Sequence, residues 1–168
     1  SLMETPVFGV VGWKNSGKTT LTERLVAEFS ARGLRVSMVK HTHHNVDLDR
    51  SGTDSYRHRL AGAHEVMLAG GSRFALMHEY RDQPEFELAD LLVRMSPCDL
   101  VLVEGFKKTP IPKLEVHRQA RAMDLLAQSD DSILAIAADC DVSGLDIPVF
   151  DLNDILPIAD FIWKHSYA

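Results

Sequence analysis

Apolar residues recur along this chain in two rhythms, and each rhythm marks a different kind of element. The run VFGVV (7–11) is short and unbroken, as in a strand buried on both faces. It leads through a polar loop to Leu21, Leu25, Val26 and Phe29, which fall on one face of a helix. Gly33 supplies the helix stop. LRVSMVK (34–40) then reads as a second strand, completing a strand-helix-strand unit for which parallel strands and a right-handed crossover are expected.

The pattern then breaks. HTHHNVDLDRSGTDS (41–55) is polar, rich in turn formers and without apolar periodicity, and it reads as a functional loop. A short helix is expected from Ser55 to Ala61, with Asp54 as its N-cap and Gly62 as its stop. HEVMLA and RFALMHE flank Gly70 and Gly71, which predicts a hairpin and an antiparallel piece in the sheet. From Glu85 a helix carries Leu88, Leu91, Leu92 and Met95 at helical spacing and stops near Pro97. DLVLVEG (99–105), KLEVHR (113–118) and SILAIAAD (132–139) are further strands, the last apolar enough to be buried on both faces. A terminal helix from Ile155 to Lys164 places Ile155, Ile158, Ala159 and Ile162 together.

At 168 residues, 45% of them hydrophobic and 25% charged, the chain is expected to form one domain, residues 1–168, with a core of its own. Ser1 and Leu2 read as extraneous residues ahead of Met3, with no signal peptide behind them. No uncharged apolar stretch approaches the roughly 18 residues of a membrane span, so a soluble, cytoplasmic protein that engages no membrane is expected. Cys98 and Cys140 lack a CxxC partner, which fits buried thiols in a reducing compartment. The net charge of −6 and the lack of a basic run argue against nucleic-acid binding. A small phosphorylated ligand remains compatible, because local charge and a helix end attract anions against the global sign.

One motif meets that description. Gly12, Gly17, Lys18 and Thr19 match GxxxxGK[ST], between a strand and a helix as the motif requires. The glycines let successive amides turn inward, and the following helix adds its unpaired N–H groups and positive dipole end. Lys18 is placed to reach the terminal phosphates and the Thr19 hydroxyl to coordinate Mg2+. Gly12, Trp13, Lys14, Asn15, Ser16, Gly17, Lys18, Thr19 and Thr20 are the candidate nucleotide-binding residues. The fold class that follows is α/β: a three-layer P-loop NTPase fold whose twisted sheet is mostly parallel, with an antiparallel hairpin.

A triphosphate site also needs an acid beyond the metal. Glu104, which ends LVLVE, stands where a Walker B carboxylate is expected, and with Lys18 it forms the candidate catalytic pair. Thr19, Glu104 and Asp49 are the candidate metal ligands, with Asp47 a further acid in the same loop. His41, His43 and His44 have weak spacing for a metal site and read as polar loop contacts.

GWKNSGKTTL, VKHTHH, DLDRSGTDSYRHRLAGA, LVLVEGFK and AIAAD, in this order, closely resemble the molybdopterin-guanine dinucleotide biosynthesis protein B (MobB) family, from about Val7 to Asp151. The resemblance implies a GTP-binding, slowly hydrolysing homodimer with Mg2+ as cofactor. It implies an adapter that acts on molybdopterin or its guanine dinucleotide form beside a MobA-type guanylyltransferase. The [NT]KxD motif of guanine readers is absent. Asp139 is the best substitute, since one carboxylate can accept both the N1–H and N2–H of guanine; Asp151 and Asn153 stand behind it. Related dimeric P-loop ATPases carry a trans-acting lysine directly after the first glycine, where this chain has Trp13 and places Lys14 one residue later. A small-molecule kinase is the alternative activity, and a nucleotide-ordered adaptor without meaningful turnover is the alternative to hydrolysis. No Gln or Arg finger is identifiable, so hydrolysis is expected to be slow. Lys107 and Lys108, just beyond Glu104, are first candidates for an anionic pterin phosphate.

Overall fold

The computed structural model describes residues 5–43, 48–120 and 124–166. By the density of its internal contacts the chain divides into two compact units, Ser1–His41 with Asp90–Ala168, and Thr42–Ala89, where the sequence reads as a single domain.

The larger unit is built on a six-stranded parallel sheet. Its strands are β1 (Val7–Val11), β2 (Val36–Lys40), β5 (Leu100–Glu104), β6 (Lys113–His117), β7 (Ile133–Ala138) and β8 (Val149–Asp151), in the order β2-β5-β1-β6-β7-β8. The phosphate-loop strand β1 is central, held in parallel register by β5 (Val7 opposite Val101) and by β6 (Val11 opposite Glu115). Two helices, α1 (Lys18–Ala31) and α4 (Ile155–Ser166), pack against each other. They bury Leu21, Leu25, Phe29, Ile158, Ala159 and Ile162 in one cluster with Phe8, Leu102 and Leu114. Each leucine, isoleucine or phenylalanine among them contributes roughly 1.5–3 kcal/mol of transfer free energy, enough to fix where α1 begins and hence where the loop before it lies.

The apolar face expected for α1 is the buried one, with Val26 at its margin. Gly33 takes a φ of +83° just beyond the helix, where a residue with a side chain would be strained. At the other end Gly17, φ +97°, is the N-cap.

The smaller unit holds α2 (Asp54–Ala61) and the hairpin β3 (Glu65–Ala69) with β4 (Phe74–His78). The hairpin is antiparallel as expected, but it forms a two-stranded sheet of its own rather than a piece of the large one. Alternation around Gly70 and Gly71 specifies the pairing of two strands, not which sheet they join. Thr53, not Asp54, caps α2, and Gly62 ends it in the left-handed conformation.

Two further differences concern the 85–97 stretch and the C-terminal third. The helix there, α3, spans only Leu88–Leu92, because Arg94 and Met95 donate to Leu91 and Leu92 in tight three-residue turns ahead of Pro97. The edge strand β8 and a short 3-10 turn at Leu126–Gln128 have too few residues for any period to register. No helix among the described residues is long and apolar enough to cross a membrane.

Candidate functional site

The loop between β1 and α1 is closed by its own backbone. Ser16 N–H donates to the Trp13 carbonyl at 3.1 Å, and Asn15 takes a left-handed φ of +62°. Gly12 lies where no side chain fits: a Cβ there would stand 2.7 Å from Ser16 Oγ and 2.8 Å from the Val116 carbonyl oxygen. Gly17 combines its positive φ with the Arg118 side chain, whose Nε lies 3.3 Å from where a Cβ would be. Both glycines of the motif are thus required by geometry at their own positions.

Two observations describe a cradle suited to an anion. Ser16 Oγ is buried and has no hydrogen-bond partner among the described residues, an arrangement that costs about 1–3 kcal/mol unless a ligand relieves it. Lys18 Nζ donates back to the Gly12 carbonyl at 2.8 Å, so its ammonium hangs over the loop. Burial pushes the Lys18 ammonium below its ordinary value; Lys107 pushes the same way, Glu104 opposes, and Lys40 adds to the depression. The site therefore carries a surplus of positive charge, which an anion would neutralise.

Glu104 is placed by β5 and is almost wholly buried. Its Oε1 accepts from the Thr19 hydroxyl at 2.8 Å and its Oε2 from Thr22 at 3.2 Å, so the predicted pair Thr19 and Glu104 do meet. A hydroxyl beside a carboxylate at the mouth of a phosphate loop is a hard-oxygen donor set of the kind Mg2+ takes. The residues present fit both a phosphate chain and Mg2+.

The remaining candidates differ in their surroundings. Asp49 belongs to the smaller unit, where its carboxylate is engaged by Arg59, which also reaches Glu79 at 3.1 Å. The hydrogen bonds from Arg59 hold the Asp49 carboxyl below the ordinary range against a smaller opposing effect of burial. Asp47 and His44 lie outside the described residues. His41 donates its backbone N–H to the Glu104 carbonyl at 2.9 Å, and its ring stacks on Phe106 with centroids 4.5 Å apart. Lys14, Asn15 and Thr20 are exposed along the loop and first turn. Asp139 stands at the end of β7, exposed, with one oxygen accepting the Gln119 N–H at 2.8 Å. Asp151 accepts the Asn153 N–H at 2.9 Å in a local turn.

Trp13 is anchored rather than loose. Its indole N–H donates to the Asp124 carbonyl at 2.8 Å, and the Lys107 ammonium stands 4.8 Å from the ring centroid. Lys107 and the loop aromatic are thereby joined at the rim of the cradle.

Four site residues escape sequence reasoning. Thr22 lies one turn beyond Thr19 on α1, a spacing that could have flagged it. Lys40 and Arg118 reach the site only because β2 and β6 flank β5 and β1, an order that linear sequence does not disclose. Glu115 is buried on β6 opposite Val11, and both its oxygens accept backbone N–H groups, from Leu126 and Ala127 at 2.9 Å each. Burial pushes its carboxyl above the usual range despite those two bonds.

The sequence and the fold both have close counterparts. The family model of molybdopterin guanine dinucleotide synthesis protein B (MobB) matches residues 7–139. The molybdopterin-guanine dinucleotide biosynthesis adapter protein of Haemophilus influenzae is 41% identical over 166 residues, covering 98% of this chain and 92% of that protein. The adapter protein of the same description from Escherichia coli is 40% identical, covering 94% and 91%. The crystal structure of Bacillus subtilis MobB superposes with a TM-score of 0.76 at 29% identity, over 95% of this chain and 97% of that one. With the phosphate-loop geometry and these matches together, the chain belongs to the MobB family, the adapter proteins of molybdopterin-guanine dinucleotide biosynthesis.

Proposed function

We propose that this adapter binds GTP with Mg2+ in the cradle of residues 12–20, hydrolyses it slowly, and works beside a MobA-type guanylyltransferase on molybdopterin or its guanine dinucleotide form. The observation that carries the reading is the buried, unpartnered Ser16 hydroxyl in a loop whose Gly12 carbonyl accepts from Lys18 Nζ. Lys18 and the backbone amides of the loop bind the phosphates, and Lys107 adds positive charge from the rim. Thr19 and Glu104 hold Mg2+, which when bound supplies positive charge to the terminal phosphates. Asp139, at the end of a strand two places from β1, is the residue on this chain best suited to take the guanine edge. Turnover is far below the range of about 1–100 per second usual for kinases.

We also propose a homodimer. Its support lies in the hairpin, where Met67 is 60% and Phe74 70% exposed, with Leu68 and Leu76 nearly half exposed. An apolar patch on an open strand pair is the kind of surface that a second chain covers.

Equilibrium titration with GTP and with ATP, each with and without Mg2+, tests the nucleotide reading, and a pull-down with the guanylyltransferase tests the partnership. Tighter binding of GTP than ATP and retention of the transferase are expected. Failure of both triphosphates to bind under every condition would overturn the proposed site.

A further inference from the structure

Lys40 is the last residue of β2, directly opposite Glu104 in the parallel register of β2 and β5. Its Nζ lies 3.7 Å from Glu104 Oε1 and donates to Thr19 Oγ1 at 3.4 Å. Those two oxygens are the hydroxyl and the carboxylate that fit Mg2+, and they are themselves 2.8 Å apart. The cation that meets them is the ammonium of Lys40. Lys18, in the loop itself, is turned to the Gly12 carbonyl instead.

The asymmetry of burial matters. Glu104 is 6% exposed in its side chain and Lys40 54%, so the carboxylate is fixed while the lysine reaches it from the open side and can withdraw. An ammonium is a compact point charge on a flexible stem, suited to exchange with a metal ion at one carboxylate. Lys40 and Lys107 both act on Lys18 alongside Glu104, three positive charges to one negative, which leaves a surplus to meet a phosphate chain without any divalent ion.

We propose that Lys40 is the resident cation of the metal position: it competes with divalent metal for Thr19 and Glu104, and lets the cradle hold a triphosphate when no metal is present. The inference rests on the nucleotide-binding reading above and adds to it which residue sets the metal dependence. Lys40 swings from Glu104 to the terminal phosphate when Mg2+ is absent, and away from both when Mg2+ enters.

The test uses the full chain and two probes. In the first, GTP affinity is measured with excess EDTA and with Mg2+ for wild type, Lys40→Gln and Lys40→Arg. Wild type is expected to bind GTP under both conditions. Lys40→Gln should lose about tenfold or more in EDTA, the worth of one charged hydrogen bond, and under about threefold with Mg2+, while Lys40→Arg restores binding in EDTA. In the second, Mn2+ is titrated into nucleotide-free protein and followed by its electron paramagnetic resonance signal. Lys40→Gln should bind Mn2+ about tenfold more tightly than wild type, because the competing charge is gone. A loss of GTP affinity equal in EDTA and in Mg2+, with unchanged Mn2+ affinity, overturns the proposal and leaves Lys40 an ordinary phosphate contact. Wild-type binding that vanishes in EDTA but persists in Mg2+ overturns it too, while the nucleotide reading survives. If wild type binds no GTP under either condition, both fall together.

Discussion

The two units of the chain use apolar residues in opposite ways. In the larger, the strands at the centre are apolar and sealed: Leu102 and Val103 of β5 and Phe8 and Val10 of β1 have no solvent exposure at all. In the smaller, β3 and β4 are comparably apolar, yet Met67, Leu68, Phe74 and Leu76 lie open to solvent. The large sheet obtains its hydrophobic stabilisation within the chain and converts it into a rigid frame for the phosphate loop. The hairpin's apolar surface is exposed instead, and under the proposed homodimer its stabilisation should depend on concentration.

The strongest way to break this contrast is at Leu102. Leu102→Ala should cost about 2–5 kcal/mol by chemical denaturation, the range for a buried leucine that leaves a cavity. A cost under about 1 kcal/mol would mean the β5 core is not sealed. Lys18→Ala should come next, with triphosphate affinity down roughly a hundredfold by titration and the melting temperature unchanged, because the missing interaction is with the ligand. An unchanged affinity would remove the phosphate-loop argument.

In the smaller unit Phe74→Glu should leave the monomer's stability within about 0.5 kcal/mol while shifting sedimentation from dimer to monomer. A variant that stays dimeric would show that the hairpin is not the interface.

Acid should act with opposite sign at one carboxylate of each unit. The pairing with Arg59 holds Asp49 low, so the stability it contributes is present above the unfolded value of about 3.9 and is lost as pH falls through the lower folded value. Glu115 is pushed up by burial, so its charge opposes folding at neutral pH, and that opposition is relieved as pH falls through the raised value toward the unfolded one of about 4.3. Hydrogen exchange should therefore show protection falling around Asp49 and Arg59 as acid is added while it is held around Glu115. Uniform loss across both units would contradict the assignment. The smallest effect is at the base: Asp139→Asn should reduce the preference for GTP over ATP by about tenfold without altering phosphate affinity. A retained preference moves the guanine contact elsewhere.

What sequence disclosed divides along the same line. The glycines at 12 and 17, the acid after LVLV and the apolar face of α1 are local patterns, and each stands where the pattern puts it. Residues that act across strands were illegible, because no periodicity says that β5 inserts between β1 and β2. Lys40 beside Glu104 and Arg118 beside Gly17 both follow from that order. Trp13 shows the same limit from the other side: its place after the first glycine was plain, but its bond to Asp124 depends on a segment more than a hundred residues away. The hairpin's pairing was readable from Gly70 and Gly71, and its separation from the large sheet was not.

The central place of β1 has a consequence for how the protein is made. Val7 finds its partner at Val101 and Val11 at Glu115, so β1 has no neighbour in the sheet until the chain has been made as far as β5. The phosphate-loop motif is fully synthesised early, yet Gly12 is closed in by Val116 and Glu104 is needed opposite Thr19. Pairings this distant in sequence form late, after the loop-closure entropy has been met. A nascent chain stalled before Leu100 would thus display the whole loop motif without the strands that close it, and under the proposed function ligand capture becomes a late report that translation has delivered β5 and β6.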